Sequence, residues 1–274
     1  MSKRQSGDAL EDDFALDLTV FAESGDEDDV ANNDAGGNEA ADPRSSKKRK
    51  TDGKSPKKKK KSHIVENVDI TSLDRASQCE YIWEVQKKAI PSLSTMELEE
   101  RRVPEDAFLD TKPFASPHTI NNFASFIKFG VTSYKKKLVV KPSDDIQRGA
   151  PVVLILTSSA IRAVDVIRAM TEFQKQAKVA KLFAKHLKLE EQIAFLNNTI
   201  VNVAVGTPAR VMKLIEESGA LKLDRLELVV VDCDKDKKEF TIFDLLEVRE
   251  YLFKFLGTHF VRGAKGGGVR LALY

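Results

Sequence analysis

The second half of the chain alternates short apolar runs with amphipathic segments, and this alternation restricts the fold more than any other feature. Strand-like apolar runs lie at residues 152–156, 179–183, 200–205, 227–231 and 269–273. Helical spacing is found at residues 160–173, at 187–196, from Pro208 to a stop at Gly219, and at 243–255. Strands that alternate with helices of this length are joined by right-handed crossovers, which predicts one parallel sheet with helices on both faces. The expected fold class is α/β.

Polar residues follow three of these strands, where the chain leaves the predicted sheet. Thr157, Ser158 and Ser159 follow the first strand, and Thr207 and Asp232 follow two others. Because parallel strands end at a common edge, and ligands bind outside that edge, these residues form the candidate site. Thr207 is expected to cap a helix whose first position is a proline that needs no N–H partner.

Four stretches resemble a known family. Val-Gly-Thr-Pro-Ala-Arg-Val at 205–211 is similar to the Thr-Pro-Gly-Arg motif of DEAD-box RNA helicases, and Val-Val-Val-Asp-Cys-Asp-Lys at 229–235 stands where their Asp-Glu-Ala-Asp box would. Together with 157–163 and 181–192, these stretches resemble the Cms-type family of nucleolar small-subunit ribosome-assembly proteins, which are related to those helicases. The resemblance runs from about residue 95 to the end and implies a single RecA-like sheet.

The resemblance also implies that the ATP chemistry is lost. Asp232 would match the magnesium-side aspartate, but Cys233 replaces the glutamate that positions water, Asp234 follows, and Lys235 replaces the closing aspartate. No Gly-x-x-x-x-Gly-Lys loop follows a strand, and the cluster 263–268 is predicted to be a flexible loop. Only about 40 residues follow Asp234, so no second catalytic domain is expected. No cofactor and no metal are predicted.

Two predicted helix amino termini, each with an arginine in its first turn, form the part of the domain that is expected to face RNA. In the helicases the matching motifs hold RNA backbone without reading bases, and a helix amino terminus can bind phosphate. The alternative is that Ser159 and Thr207 are ordinary caps and that the arginines are solvated. The candidate RNA-backbone residues are Ser158, Ser159, Arg162, Gly206, Thr207 and Arg210.

A candidate partner surface lies in the stretch 181–192, and this assignment rests on the resemblance alone. His186 has no evident nucleophile or orienting carboxylate, so a packed or partner-facing histidine is favoured over a catalytic base. The surface residues are Lys181, Lys185, His186, Lys188 and Gln192.

The net charge of +2 conceals an acidic segment followed by a basic one. Residues 5–43 contain no Lys or Arg, and their apolar residues fit either a docking peptide or a solubilising tail. Ten of the fifteen residues from 47 to 61 are Lys or Arg, which predicts nuclear import and non-specific RNA affinity. The targeting run comprises Lys47, Lys48, Arg49, Lys50, Lys57, Lys58, Lys59, Lys60 and Lys61.

Composition excludes several other classes of protein. Two cysteines, Cys79 and Cys233, are too few for a disulfide framework or a zinc site and favour a reducing compartment. No apolar run approaches the roughly 20 residues of a membrane span. The predicted organisation is a disordered acidic then basic arm (1–62), a helical extension (63–113) and a degenerate RecA-like domain (114–274).

The predicted function is that of a non-enzymatic nucleolar assembly factor of the early small-subunit pre-ribosome. Its expected partners are pre-rRNA or a particle that contains small nucleolar RNA, together with other assembly proteins. Two alternatives remain. One is a weak RNA-dependent ATPase or RNA chaperone, in which Asp232 and Asp234 would hold magnesium and residues 143–149 would form an unconventional phosphate loop. The other is a pure protein adaptor.

Overall fold

The computed structural model describes residues 69–139, 143, 145–175 and 178–274. The acidic segment and the basic run predicted at the amino terminus lie outside these residues. Five strands form one sheet in the order β2-β3-β1-β4-β5, and all four pairings are parallel. The strands are β1 (Val153–Leu156), β2 (Lys178–Leu182), β3 (Val201–Gly206), β4 (Leu228–Val231) and β5 (Arg270–Leu273).

Both faces of the sheet are covered, as the continuous apolar runs predicted. Every residue of β1, β3 and β4 is buried. One face packs into a core shared with α1, α6 and α7, and α4 packs on β3 and on α3. The helices are α1 (Arg75–Ala89), α2 (Thr95–Glu100), α3 (Phe123–Gly130), α4 (Ala160–Ala169), α5 (Leu189–Asn198), α6 (Pro208–Glu216), α7 (Leu246–Phe255) and α8 (Val261–Lys265).

The residues before the sheet belong to the same core. Asn67–Tyr274 form one compact unit, and α1 packs on α7. Phe108 forms a parallel bridge to Leu271, and the Leu109 N–H donates to the Leu271 carbonyl at 2.7 Å. The helical extension therefore adds a short strand-like segment to the sheet beside β5.

Several local predictions were wrong in their bounds. The helix predicted at 160–173 ends at Ala169 and is followed by a 3-10 turn, Thr171–Gln174. The helix α3 begins at Phe123, after another 3-10 turn, Ile120–Asn122. The helix predicted at 243–255 continues through a π-helical turn, Leu256–Phe260, into α8. The loop predicted at 263–268 is therefore helical as far as Lys265.

A capping box starts α2. The Ser94 hydroxyl accepts from the Glu97 N–H, and the Glu97 carboxylate accepts from the Ser94 N–H at 2.8 Å. These reciprocal bonds satisfy two helix donors that would otherwise be unpaired.

Among the described residues, no helix combines the length and the apolar content that crossing a bilayer requires.

Candidate functional site

The loops that follow β3, β1 and β4 meet at the carboxyl edge of the sheet because these strands are neighbours. The Thr157 side chain is fully buried, and its hydroxyl donates to the Ser159 carbonyl at 3.1 Å. The Thr157 N–H donates to the Gly206 carbonyl at 2.9 Å, and the Asp232 N–H donates to the Leu156 carbonyl at 2.9 Å. The sequence correctly placed these residues on one edge.

The loop after β1 starts α4 with a side-chain cap. The Ser159 hydroxyl accepts from the Arg162 N–H at 3.2 Å, so Ser159 acts as the helix cap that was the alternative to its RNA-backbone assignment. Arg162 lies in the first turn, so its side chain reaches across the edge toward the end of β4.

A bidentate ion pair joins α4 to the loop after β4. The Arg162 Nε donates to Asp232 Oδ2 at 2.7 Å, and Nη2 donates to Asp232 Oδ1 at 2.9 Å. The Arg162 Nη1 lies 2.8 Å from Asp234 Oδ2. Asp232 is only 1% exposed, whereas the Asp234 side chain is 57% exposed. The Arg162 guanidinium therefore binds the carboxylates at two of the four degenerate DEAD-box positions. The sequence did not indicate this pairing.

Burial and ion pairing shift the pKa values of these groups in opposite directions. Burial raises the pKa of Asp232 because its charge is removed from water, and the bonds from Arg162 oppose that shift. Desolvation by itself would lower the pKa of Arg162, but the carboxylates of Asp232 and Asp234 outweigh it and raise that pKa. The guanidinium consequently stays charged inside the edge.

Cys233 lies beside this pair with its side chain turned into the protein. Its Sγ lies 3.4 Å from the Val231 carbonyl, and its N–H donates to the Tyr274 carbonyl at 2.6 Å. Burial raises the pKa of the Cys233 thiol well above its usual range. Cys233 is therefore a neutral thiol at physiological pH. Lys235, the fourth degenerate position, is exposed and forms an ion pair with Glu239 at 3.2 Å.

The loop after β3 is held by backbone contacts. A Cβ at Gly206 would lie 2.0 Å from the Leu182 carbonyl oxygen, so this close approach requires glycine. The Thr207 N–H donates to the same carbonyl at 3.0 Å. The predicted hydroxyl cap at Thr207 is wrong, because its side chain makes no capping bond to α6. The Leu182 contact and Pro208, which has no N–H to satisfy, fix the helix start instead.

Arg210 is anchored by a neutral partner. Its Nη1 donates to Gln192 Oε1 at 2.9 Å, and the buried Gln192 donates through Nε2 to the Lys181 and Phe183 carbonyls at 2.7 and 3.0 Å. No carboxylate among the described residues forms an ion pair with Arg210. Desolvation lowers the pKa of Arg210 and of Lys181. The stretch 181–192 is thereby joined to the end of β3, which spacing did not reveal.

The candidate residues therefore form two groups with different electrostatics. Ser158, Ser159 and Arg162 lie beside Asp232 and Asp234, where the arginine charge is neutralised. Arg210 lies on the β2–β3 side, and its charge is not paired there. Lys185 is half-buried, and His186 and Lys188 are exposed in the loop before α5, with His186 at a φ of 59°.

A cleft of about 940 Å³ opens at the β1, β4 and β5 side of this edge. Part of its wall is the loop 110–119, which follows the Phe108–Leu109 segment beside β5. The His118 ring stacks on Tyr274 with centroids 4.7 Å apart. The Tyr274 hydroxyl donates to the Thr119 carbonyl at 2.6 Å, and burial raises the pKa of Tyr274 to about 12. The sequence analysis assigned no role to this loop.

No group of three His, Cys, Asp or Glu side chains within residues 69–139, 143, 145–175 and 178–274 is arranged to hold a metal ion.

Several known proteins are similar to this chain over part of its length. The protein CMS1 of Chaetomium thermophilum is 42% identical over 60% of this chain and 64% of its own length. The protein CMSS1 of Homo sapiens is 32% identical over 65% of this chain and 61% of its own length. The chain thus aligns with less than two thirds of either relative. A crystal structure of a DEAD box protein from Methanococcus jannaschii is 18% identical, with a TM-score of 0.37, and covers 66% of this chain and 47% of its own.

A family model described as "CMS1: U3-containing 90S pre-ribosomal complex subunit" matches residues 24–274. Since that match spans nearly the whole sequence, the chain belongs to the CMS1 family of pre-ribosomal complex subunits.

Proposed function

We propose that this chain is a non-enzymatic assembly factor of the early small-subunit pre-ribosome, acting in the nucleolus. It binds RNA backbone at the carboxyl edge of its sheet and does not turn over ATP. The family description supports the pre-ribosomal setting. The observation that carries the non-enzymatic part is the bidentate bond between Arg162 and the buried Asp232.

This ion pair engages the Asp232 carboxylate, which a magnesium ion would need as a ligand. A catalytic aspartate holds a metal through free carboxylate lone pairs, directly or through water. Both Asp232 oxygens accept hydrogen bonds from Arg162, and an Asp234 oxygen accepts from the same guanidinium. A magnesium ion would have to displace a positive charge that is already desolvated. The neutral thiol of Cys233 then offers no base for water.

The loop beside the cleft is also unsuited to phosphate. Phosphate-cradling loops present a run of free backbone N–H groups and depend on glycine. The loop 110–119 contains no glycine, and Pro113 and Pro117 remove two donors. The alternative phosphate loop at 143–149 precedes β1, and the Gly149 N–H donates to Thr199 just before β3. That segment lies at the amino edge, across the sheet from Asp232.

The β2–β3 side is the part suited to RNA. Arg210 donates one N–H to Gln192 and forms no ion pair with a described carboxylate, although the more distant charge of Glu190 acts on it. The Thr207 hydroxyl is not used to cap α6. Lys181, Lys185 and Lys188 lie on the adjoining segment. Charges that surround a helix amino terminus contact phosphates without reading bases, which suits an assembly factor that binds structured RNA.

The test measures binding of single-stranded RNA to the full chain as salt is varied. Arg210→Glu should weaken binding about tenfold and lower the slope of log affinity against log salt by about 0.7, the value for one phosphate contact. Arg262→Glu is the matched control because Arg262 is an exposed arginine on α8. Equal affinities for the two variants would show that this edge does not bind RNA and would favour the adaptor alternative.

A further inference from the structure

A second cationic surface lies at the amino edge of the sheet. After α3 the chain turns at Ser133, whose φ is 57°, and forms a π-helical turn, Lys135–Val139. The Arg270 Nη2, at the start of β5, donates to the Gly130 carbonyl at 2.7 Å. The Lys137 Nζ lies 2.5 Å from the carboxylate of Glu227, the residue before β4. These contacts place the turn where the strands begin.

Lysines from three segments meet on this surface. The π-helical turn packs on the 3-10 turn Thr171–Gln174, which packs in turn on β2. Lys135 and Lys136 are exposed on the first, Lys175 follows the second, and Lys178 is the exposed first residue of β2. These four residues, Lys135, Lys136, Lys175 and Lys178, are called the lysine face below.

Two carboxylates on the segments that carry or adjoin the lysine face are paired with other lysines. Lys128 Nζ lies 2.7 Å from Glu172, and Lys137 is paired with Glu227. In the described ranges, none of the four lysines forms an ion pair with a carboxylate. Their charges therefore add together on one side of the domain. Lysines spread over a surface for solubility alone would be interspersed with acidic residues.

One aromatic side chain borders the same surface. Tyr134 is half-buried directly before the lysine pair, with Lys128 Nζ 6.0 Å from its ring centroid. Lysines that track a backbone beside rings that can stack on unpaired bases are the usual components of a single-strand binding surface. A positive φ at a serine and a π-helical turn are both uncommon backbone conformations. Both are found preferentially at functional positions.

We infer that the lysine face is a second RNA-binding surface, which holds the phosphate backbone of a single strand at the edge opposite Arg210. The inference rests on the proposed function only for the class of partner. A strand of five residues separates the two edges by about 17 Å. The domain therefore contacts RNA from both ends of its sheet, and one RNA segment or two segments of a particle can be held against each other.

The test compares two charge reversals in the full chain, with a uridine-rich single-stranded RNA as the probe. Lys135→Glu with Lys136→Glu changes the lysine face. Lys237→Glu with Lys238→Glu is the matched control, because these are also adjacent exposed lysines but lie in the loop after β4. All these proteins retain the basic run 47–61, so differences between them report on the domain. Lys135→Gln with Lys136→Gln removes the charge without introducing repulsion and guards against misfolding.

The lysine-face reversal should lower the salt slope by about 1.4, since each lost single-strand phosphate contact contributes roughly 0.7. It should weaken binding about tenfold or more at physiological salt, and the control should change neither quantity. RNA that carries 4-thiouridine should crosslink to the peptide containing Tyr134 in the wild-type chain and lose that crosslink in the variant.

An unchanged salt slope in the lysine-face variant overturns the inference. If Arg210→Glu still weakens binding, the proposed function stands and only the second surface is lost. If neither variant weakens binding, the RNA part of the proposed function fails as well. Loss of polyglutamate binding with RNA binding intact would instead assign the face to an acidic protein partner, which also overturns the inference.

Discussion

Replacing Arg162 with methionine tests the ion pair at the carboxyl edge directly. The substitution keeps most of the aliphatic volume but leaves Asp232, which is 1% exposed, without its bidentate partner. Breaking one side of a buried pair costs about 3 to 5 kcal/mol. The Arg162 side chain is 18% exposed, so water can partly replace it and the lower end, about 3 kcal/mol, is expected at pH 7.

The loss should depend on pH in a defined direction. Burial already raises the pKa of Asp232, and removing Arg162 raises it further above the value in the unfolded chain. An acid whose pKa is raised on folding costs no stability below its unfolded pKa, of about 4. The cost grows as pH rises toward the folded pKa. The deficit of the variant should thus be small near pH 4 and largest at pH 7 to 8.

Urea denaturation at several pH values measures this deficit. With an m-value of about 2 to 3 kcal/mol/M, a loss of about 3 kcal/mol lowers the midpoint at pH 7 by roughly 1 M. Arg168→Met, on the same helix, is the control because Arg168 forms a surface pair with Asp165 at 3.6 Å and should cost under about 1 kcal/mol. Arg162→Met with Asp232→Leu should recover most of the loss. A pH-independent deficit no larger than the control's would refute the argument.

Three further outcomes are expected. Gly206→Ala should lower the free energy of unfolding by about 3 kcal/mol or more in urea denaturation, because the added Cβ would meet a backbone carbonyl at 2.0 Å; a variant as stable as wild type would contradict that contact. Thr207→Ala should change it by less than about 0.5 kcal/mol, since the hydroxyl makes no cap, and a loss near 1 kcal/mol would restore the cap hypothesis. Deleting residues 47–61 should disperse a fluorescent fusion from the nucleus and lower the RNA salt slope by several units, and unchanged import with an unchanged slope would argue against both roles.

Strand positions and the shared edge were predictable because they follow from local apolar runs and from the geometry of parallel sheets. Five strands lie within one or two residues of their predicted bounds. Ser159 was also predictable as a cap, since its partner is the N–H three residues later. These features depend on short stretches of sequence, so periodicity and residue type were sufficient.

The side-chain pairings across the edge could not be predicted from spacing. Arg162 and Asp232 are 70 residues apart, and each matched a different motif of the resemblance. Only the strand order, with β1 between β3 and β4, brings them together. Two signals were available in the sequence. One was a charged residue in the first turn of the helix that follows one strand, and the other was an aspartate at the end of another strand. The bond that Arg210 donates to Gln192 was missed for the same reason.

The segment before the sheet contributes backbone to it, which the sequence did not indicate. Residues 108–109 extend the sheet beside β5, and the loop 110–119 forms a wall of the cleft. A run of two paired residues is too short to give a strand signal. The helix predicted at 160–173 failed at its end because Met170 leaves the helical conformation before Thr171.

We propose that the ion pair between Arg162 and Asp232 has replaced nucleotide chemistry in a domain that binds RNA. The most direct measurement is phosphate release from ATP by the full chain with magnesium, with and without saturating single-stranded RNA, alongside Asp232→Asn. We expect no phosphate release above the buffer background in either protein. Cys233→Glu should give the same result, because Arg162 still donates hydrogen bonds to both Asp232 oxygens. RNA-stimulated release that Asp232→Asn abolishes would contradict it.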